Sequence, residues 1–341
     1  MNKFTRRFGL LIASACSLLV VWGASVVLSG SPTLMVRDEV LEYDVPAEGS
    51  VEFYAHEGLS FNRFGPHGIG RKEWIRGKDR RNRIYLWGDS FIEAKQVFED
   101  DRPGMVLMRR LEELSHSYDT AVFGIGTSGY GLMDGVARAR IMEEKWGAPC
   151  CHIFFIGTYF EDDLEFVLRD RIGKPPVSKT RMLIRRIRYW FALTIIDKIK
   201  NHTHQFLARY QHREEKALPR EKPKEEVLSG IKSVFCHMRS TLKAPVVVAY
   251  CPNSVATLVR GGVNFDDKDA DLVPLVASMA KGYGIDFVDF SGALKRLYDE
   301  RGILGRGFIN MGGLGNGHLN KDGIKAVFED VAKYIKDNYD F

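Results

Sequence analysis

The sequence predicts an α/β domain built on a mostly parallel, doubly wound sheet. Five short apolar runs alternate with helical stretches, the pattern of strands that helices cover on both faces. The composition, 45% hydrophobic and 27% charged over 341 residues, is that of a globular chain. It excludes a disordered, collagenous or disulfide-framework protein, and the length suits one large domain or two average ones. No internal repeat is visible, which argues against a solenoid or propeller.

The chain opens with Lys3, Arg6 and Arg7 ahead of an uncharged run from Phe8 to about Leu28. That is close to the roughly 20 residues needed to cross a bilayer. With the cations on the cytoplasmic side, the remainder is expected on the extracytoplasmic (periplasmic) side. A cleaved signal usually has an apolar core of only about 7–15 residues, so residues 1–30 read better as a retained transmembrane helix. Ser29-Gly30-Ser31 leaves cleavage open, although Pro32 beside it is awkward for a peptidase. Cys16 falls inside the apolar run.

Residues 36–80 read as short extended pieces and a Gly-rich lead-in loop. Arg83–Trp87 is the first buried strand, Thr120–Phe123 the second, His152–Ile156 the third, Pro245–Tyr250 the fourth and Phe287–Val288 the fifth. Helices are predicted over about 103–114, 132–146, 225–242, 270–282, 292–299 and 321–337. Pro103 suits the first turn of its helix. The stretch 169–225 departs from the pattern, with 16 Lys and Arg against 6 Asp and Glu. It reads as a basic helical insertion with a solvated cationic face; lying on anionic lipid or an acidic polymer is the alternative.

In a doubly wound sheet, functional residues gather beyond the carboxyl ends of the strands. Directly after the first strand stands Gly88-Asp89-Ser90, where a Ser can present its hydroxyl and its own N–H at the sheet edge. After the second comes Gly124-Ile125-Gly126-Thr127-Ser128-Gly129, whose Gly129 N–H is a candidate oxyanion donor. Before the last helix comes Gly315-Asn316-Gly317-His318-Leu319-Asn320, and His318 is a candidate general base toward Ser90. Neither loop matches a phosphate-binding fingerprint, so no nucleotide cofactor is expected. No His/Asp/Glu cluster has metal-ligand spacing, and this chemistry needs no metal. The net charge of +5 is too small to argue for nucleic acid as a partner. Cys150, Cys151 and Cys251 flank predicted strands and read as buried thiols.

Gly88-Asp89-Ser90, Gly129 and His318-Leu319-Asn320 in this order resemble the SGNH, or GDSL, hydrolase superfamily, over about residues 60–338. Asn62–Arg71 and Ile84–Val97 look most like its membrane-anchored members that handle cell-surface polysaccharides. The resemblance implies a flavodoxin-like αβα sandwich across residues 31–341, with Ser90 as nucleophile, His318 as base and the Ser90 and Gly129 amides as oxyanion donors. Two positions depart from the family pattern. Thr158 stands where an Asn is usual, and Asn316 and Gly315 stand where an Asp is usual before the His. Thr158 can donate one hydrogen bond, whereas Asn316 can orient an imidazole but not offset its charge. Asp322 and Asp162 are the alternative orienters of His318.

Two functions follow from this. One is a serine esterase or O-acyltransferase that works through acyl-Ser90 on an acylated envelope glycan or exopolysaccharide, or on a small ester. The acyl groups would be acetyl, with polysaccharide-assembly proteins as partners. The other is a catalytically impaired relative that binds polysaccharide or scaffolds an envelope assembly. Lipase or thioesterase activity would need an apolar groove that the sequence does not show.

Overall fold

The computed structural model describes residues 35–38, 40, 43–54, 57–161, 164, 223–252, 255–259, 262–308 and 314–339, with 12–14, 16, 17, 19 and 20 near the start. The predicted transmembrane run lies mostly outside these residues. Asp162 and nearly all of the basic insertion 169–225 lie outside them too. Among the described residues, no helix is long and apolar enough to cross a membrane.

Five strands, β5 (Asn82–Gly88), β6 (Thr120–Gly126), β7 (Cys151–Ile156), β8 (Val246–Tyr250) and β11 (Asp286–Asp289), form one sheet in the order β11-β8-β7-β5-β6. Every neighbouring pair is parallel. Numbered among themselves the strands run 2-1-3-4-5, the flavodoxin-like order. All five coincide with the apolar runs of the sequence. Parallel strands buried on both faces need no polar side chain in their centres, and the burial of β7 is unbroken from Cys151 to Ile156.

Alternate residues feed two cores. Tyr85, Trp87, Phe123, Phe154 and Val248 pack with α4 (Leu132–Trp146), α5 (Lys224–Thr241) and α6 (Val273–Gly282). Ile84, Leu86, Val122, Ile153, Phe155 and Val247 pack with α3 (Pro103–Ser115), α7 (Ser291–Arg301) and α8 (Lys321–Asn338). The result is the predicted three-layer sandwich. Within the first core Trp87 Nε1 donates to His152 Nδ1 at 3.0 Å, which leaves the proton of this imidazole on Nε2. That nitrogen donates in turn to Glu143 at 3.0 Å.

The lead-in is more ordered than a loop. Strands β1 (Met35–Arg37) and β2 (Asp44–Pro46) form one antiparallel hairpin, and β3 (Val51–Tyr54) and β4 (Ser60–Arg63) another. Helix α1 (Arg71–Gly77) lies along β6, an edge strand of the sheet. There the buried Glu73 carboxylate accepts the Gly124 N–H at 2.9 Å, occupying a donor that the sheet edge would otherwise expose. Burial pushes the Glu73 pKa up. A hairpin of β9 (Val255–Val259) and β10 (Gly262–Asp266), not anticipated from sequence, follows β8.

Candidate active site

Strand order reverses between β5 and β7, and in such sheets the crevice at that reversal is where ligands bind. The chain leaves β5 at Gly88 and turns at once into the single-turn helix α2 (Ser90–Glu93). Asp89 caps it, its Oδ1 accepting the Phe91 N–H at 2.9 Å. Burial pushes the Asp89 carboxyl above its ordinary pKa, against the opposing pull of that N–H and of His318. Ser90 therefore stands in the first turn, where amide groups lack an intrahelical acceptor.

The loop carrying His318 is fastened by backbone pairing with the segment at 305–307. Gly307 N donates to His318 O at 2.9 Å and Asn320 N to Gly305 O at 3.0 Å. Asn320 caps α8, accepting the Asp322 and Gly323 N–H groups at 3.1 and 3.0 Å. Beneath the loop lies Arg306, which is buried. Its guanidinium donates to the carbonyls of Gly317 (3.0 Å), Cys251 (3.1 Å) and Pro252 (2.5 Å), and sits 5.0 Å from the Phe91 ring centroid. The His318 ring packs against the same Phe91, with centroids 5.0 Å apart.

So held, His318 Nε2 lies 2.7 Å from Ser90 Oγ, and the expected pair meets across 228 residues of sequence. The other ring nitrogen, Nδ1, bonds to the carboxylate of Glu57. The second Glu57 oxygen accepts the His318 backbone N–H at 3.0 Å. The arrangement is hydroxyl, imidazole and carboxylate in line, the geometry of a serine triad.

Glu57 corrects the sequence reading of the third member. Asn316 instead accepts the N–H of its neighbour Gly317 at 2.7 Å, and its side chain is exposed. Asp322 sits in the first turn of α8, where a carboxylate favours the positive end of the helix. Asp162 lies outside the described residues. Glu57 belongs to the turn of the β3–β4 hairpin, 261 residues before His318. Nothing marks it among the 44 Asp and Glu of the sequence except Gly58 after it. Gly58 has φ +76°, and an added Cβ would lie 2.3 Å from the Gln96 carbonyl oxygen. The turn can therefore seat Glu57 only with a glycine in that place.

The remaining predicted residues border the same rim. Gly129, with φ +79°, is the third residue of a turn closed by Tyr130 N to Thr127 O at 3.1 Å. This fits a type II turn, which requires a positive φ there. Thr158 is half-buried two residues past β7, whose register with β5 pairs Trp87 with Phe154 and so brings the two loops side by side. Of the cysteines, Cys151 and Cys251 are buried, and burial pushes the Cys251 thiol up to about 11.

Among solved structures, the chain resembles a lipase/acylhydrolase from Enterococcus faecalis at 13% identity and TM-score 0.40, covering 76% of this chain and 98% of that one. A member of the lipolytic G-D-S-L family from Veillonella parvula matches at 10% and 0.40, with 75% and 99% covered. The acetylxylan esterase Axe2 from Geobacillus stearothermophilus matches at 12% and 0.37, with 76% and 96% covered. No family model matches the chain, and no curated protein matches it significantly. With all three TM-scores below 0.5, the chemistry of this chain rests on its own side chains.

Proposed function

We propose that the chain is an SGNH-type serine ester hydrolase or O-acyltransferase. The observation that carries this reading is the relay from Ser90 Oγ through His318 to Glu57. As Oγ attacks an acyl carbon, its proton passes to His318 Nε2, and Glu57 balances the imidazolium that forms. The oxyanion faces the Ser90 and Gly129 amides, with the Thr158 hydroxyl as the third donor. Collapse releases an alkoxide that takes the proton from His318 and leaves acyl-Ser90. Water then completes hydrolysis, and a sugar hydroxyl in its place completes transfer.

The impaired-relative reading drew its strength from Thr158 and Asn316. A carboxylate on the imidazole removes the second of these supports. For substrate, acetyl esters on an envelope glycan or exopolysaccharide are favoured. The sequence resemblance points to such polymers, and Ser128 and Gly129 lie exposed at a rim a polymer can approach. The apolar run before residue 30 would tether the domain to the membrane on its extracytoplasmic side, beside the proteins that assemble the polymer.

A fluorophosphonate probe tests the chemistry. It should label the wild-type ectodomain and not Ser90→Ala, and only the wild type should release acetate from an acetylated polysaccharide. A wild-type protein that takes no label overturns the reading.

A further inference from the structure

The nucleophile helix is four residues long, and its last residue reaches the second oxyanion loop. Glu93 is buried, yet its carboxylate is fully engaged. Oε2 accepts the Ser128 N–H at 3.0 Å and the Ser128 hydroxyl as well, while Oε1 pairs with Lys95 Nζ at 2.9 Å. Burial opposes the Lys95 ammonium, but the carboxylates of Glu93 and Glu52 outweigh it and hold its pKa above the usual value. Ser128 is the residue before Gly129, so fixing its amide and its hydroxyl anchors the start of the peptide that carries the Gly129 N–H. The turn closed by Tyr130 N on Thr127 O sets that peptide's orientation. The loop approaches α2 closely. A Cβ on Gly126 would fall 2.0 Å from the Glu93 backbone nitrogen, and Thr127 N donates to Gly88 O at 3.2 Å.

We propose that Glu93 is a positioning residue that holds the Gly129 N–H in register with the Ser90 N–H, so that both face one developing oxyanion. The two donors hang from opposite ends of one rigid turn, Ser90 at its start and Ser128 through Glu93 at its end. An oxyanion hole accelerates a reaction to the extent that its donors are placed before charge develops. A loop held only by its own turn would have to reorganise in each cycle. The proposal rests on the reading of Ser90 as nucleophile.

Glu93→Gln, Glu93→Ala and Ser128→Ala test it on the protein that the fluorophosphonate labels. With p-nitrophenyl acetate, Glu93→Gln should lower kcat about tenfold and Glu93→Ala about 100-fold, with KM held within about twofold. A trifluoromethyl ketone, which adds to Ser90 as a tetrahedral adduct, should lose affinity by the same factors. A purely structural role would lower the melting temperature without this matching loss. Should Glu93→Ala not fold, Glu93→Gln and Ser128→Ala suffice, because their effects on ketone affinity should combine less than additively. Wild-type ketone affinity in the Gln variant, or strict additivity, overturns the proposal. Wild-type protein inert to ester and probe alike would instead overturn the assignment of Ser90.

Discussion

At the residue scale, the proposed chemistry depends on one imidazole being held from two sides. Ser90 and Glu57 fix its two nitrogens, and Phe91 and Arg306 fix its ring plane and its loop. Glu57→Gln keeps the shape of the contact but loses the charge that offsets the imidazolium. It should cut kcat for a small ester by about 10⁴-fold while the melting temperature stays close to wild type. Asn316→Ala and Asp322→Asn should both stay within about threefold of wild-type kcat, since neither residue is the partner of His318 Nδ1. The same assay measures all three. The pairing of Ser90 with His318 was legible because each sits in a short motif at a strand end or a helix start. Glu57 was not, because a carboxylate in a hairpin turn has no local signature, and its partner comes from the far end of the chain.

At the element scale, the β3–β4 hairpin is inverted in polarity. Its inner face carries Glu52, Ser60 and Asn62, all buried, while Val51 and Phe61 face outward and are exposed. The reason lies in what it packs on. Asn62 Nδ2 donates to the Lys95 carbonyl at 2.9 Å, as Ser60 Oγ also does, and Arg63 N donates to Glu99 at 2.6 Å. The hairpin docks on the backbone and side chains that follow α2 rather than on an apolar layer. Alternation was therefore present in the sequence with its sense reversed, and the segment read as a loop. Gly58 is the hinge of this docking. Gly58→Ala should destabilise the fold by about 1–3 kcal/mol through the left-handed φ and the clash with Gln96, measured by denaturant unfolding. It should also lower kcat more than it raises KM, because Glu57 moves with the turn.

At the scale of the whole molecule, the five parallel strands and six flanking helices were readable because burial on both faces makes a strand a continuous apolar run. The buried line from Trp87 through His152 to Glu143 joins β5, β7 and α4, and Glu143 also accepts the Lys243 and Ala244 amides ahead of β8. Burial lowers the His152 pKa below its ordinary value of about 6.5, more than the bond to Glu143 raises it. For Glu143 burial acts upward, but His152 and the two amides outweigh it and hold its pKa down. Both groups bind protons more readily in the unfolded chain. Their contribution is complete above about pH 6.5 and is lost as pH falls, first as His152 takes up a proton on unfolding and then below about pH 4.3 as Glu143 takes up one too. Stability measured by urea unfolding should thus fall between pH 7 and 5. In His152→Gln the slope over that interval should shrink by up to about 1.4 kcal/mol per pH unit, one proton's worth, whatever the variant's overall stability. An unchanged slope would show that other groups govern the acid limb.

The carboxylate and the imidazole of the triad arrive from opposite ends of the domain, one before the first central strand and the other after the last. During refolding the sheet, with Trp87 in it, can assemble from nearer neighbours, because contacts distant along the chain cost more loop-closure entropy. Turnover should therefore return as the final signal, after fluorescence and circular dichroism have recovered. A chain still being made would then be inert until its last helix has docked.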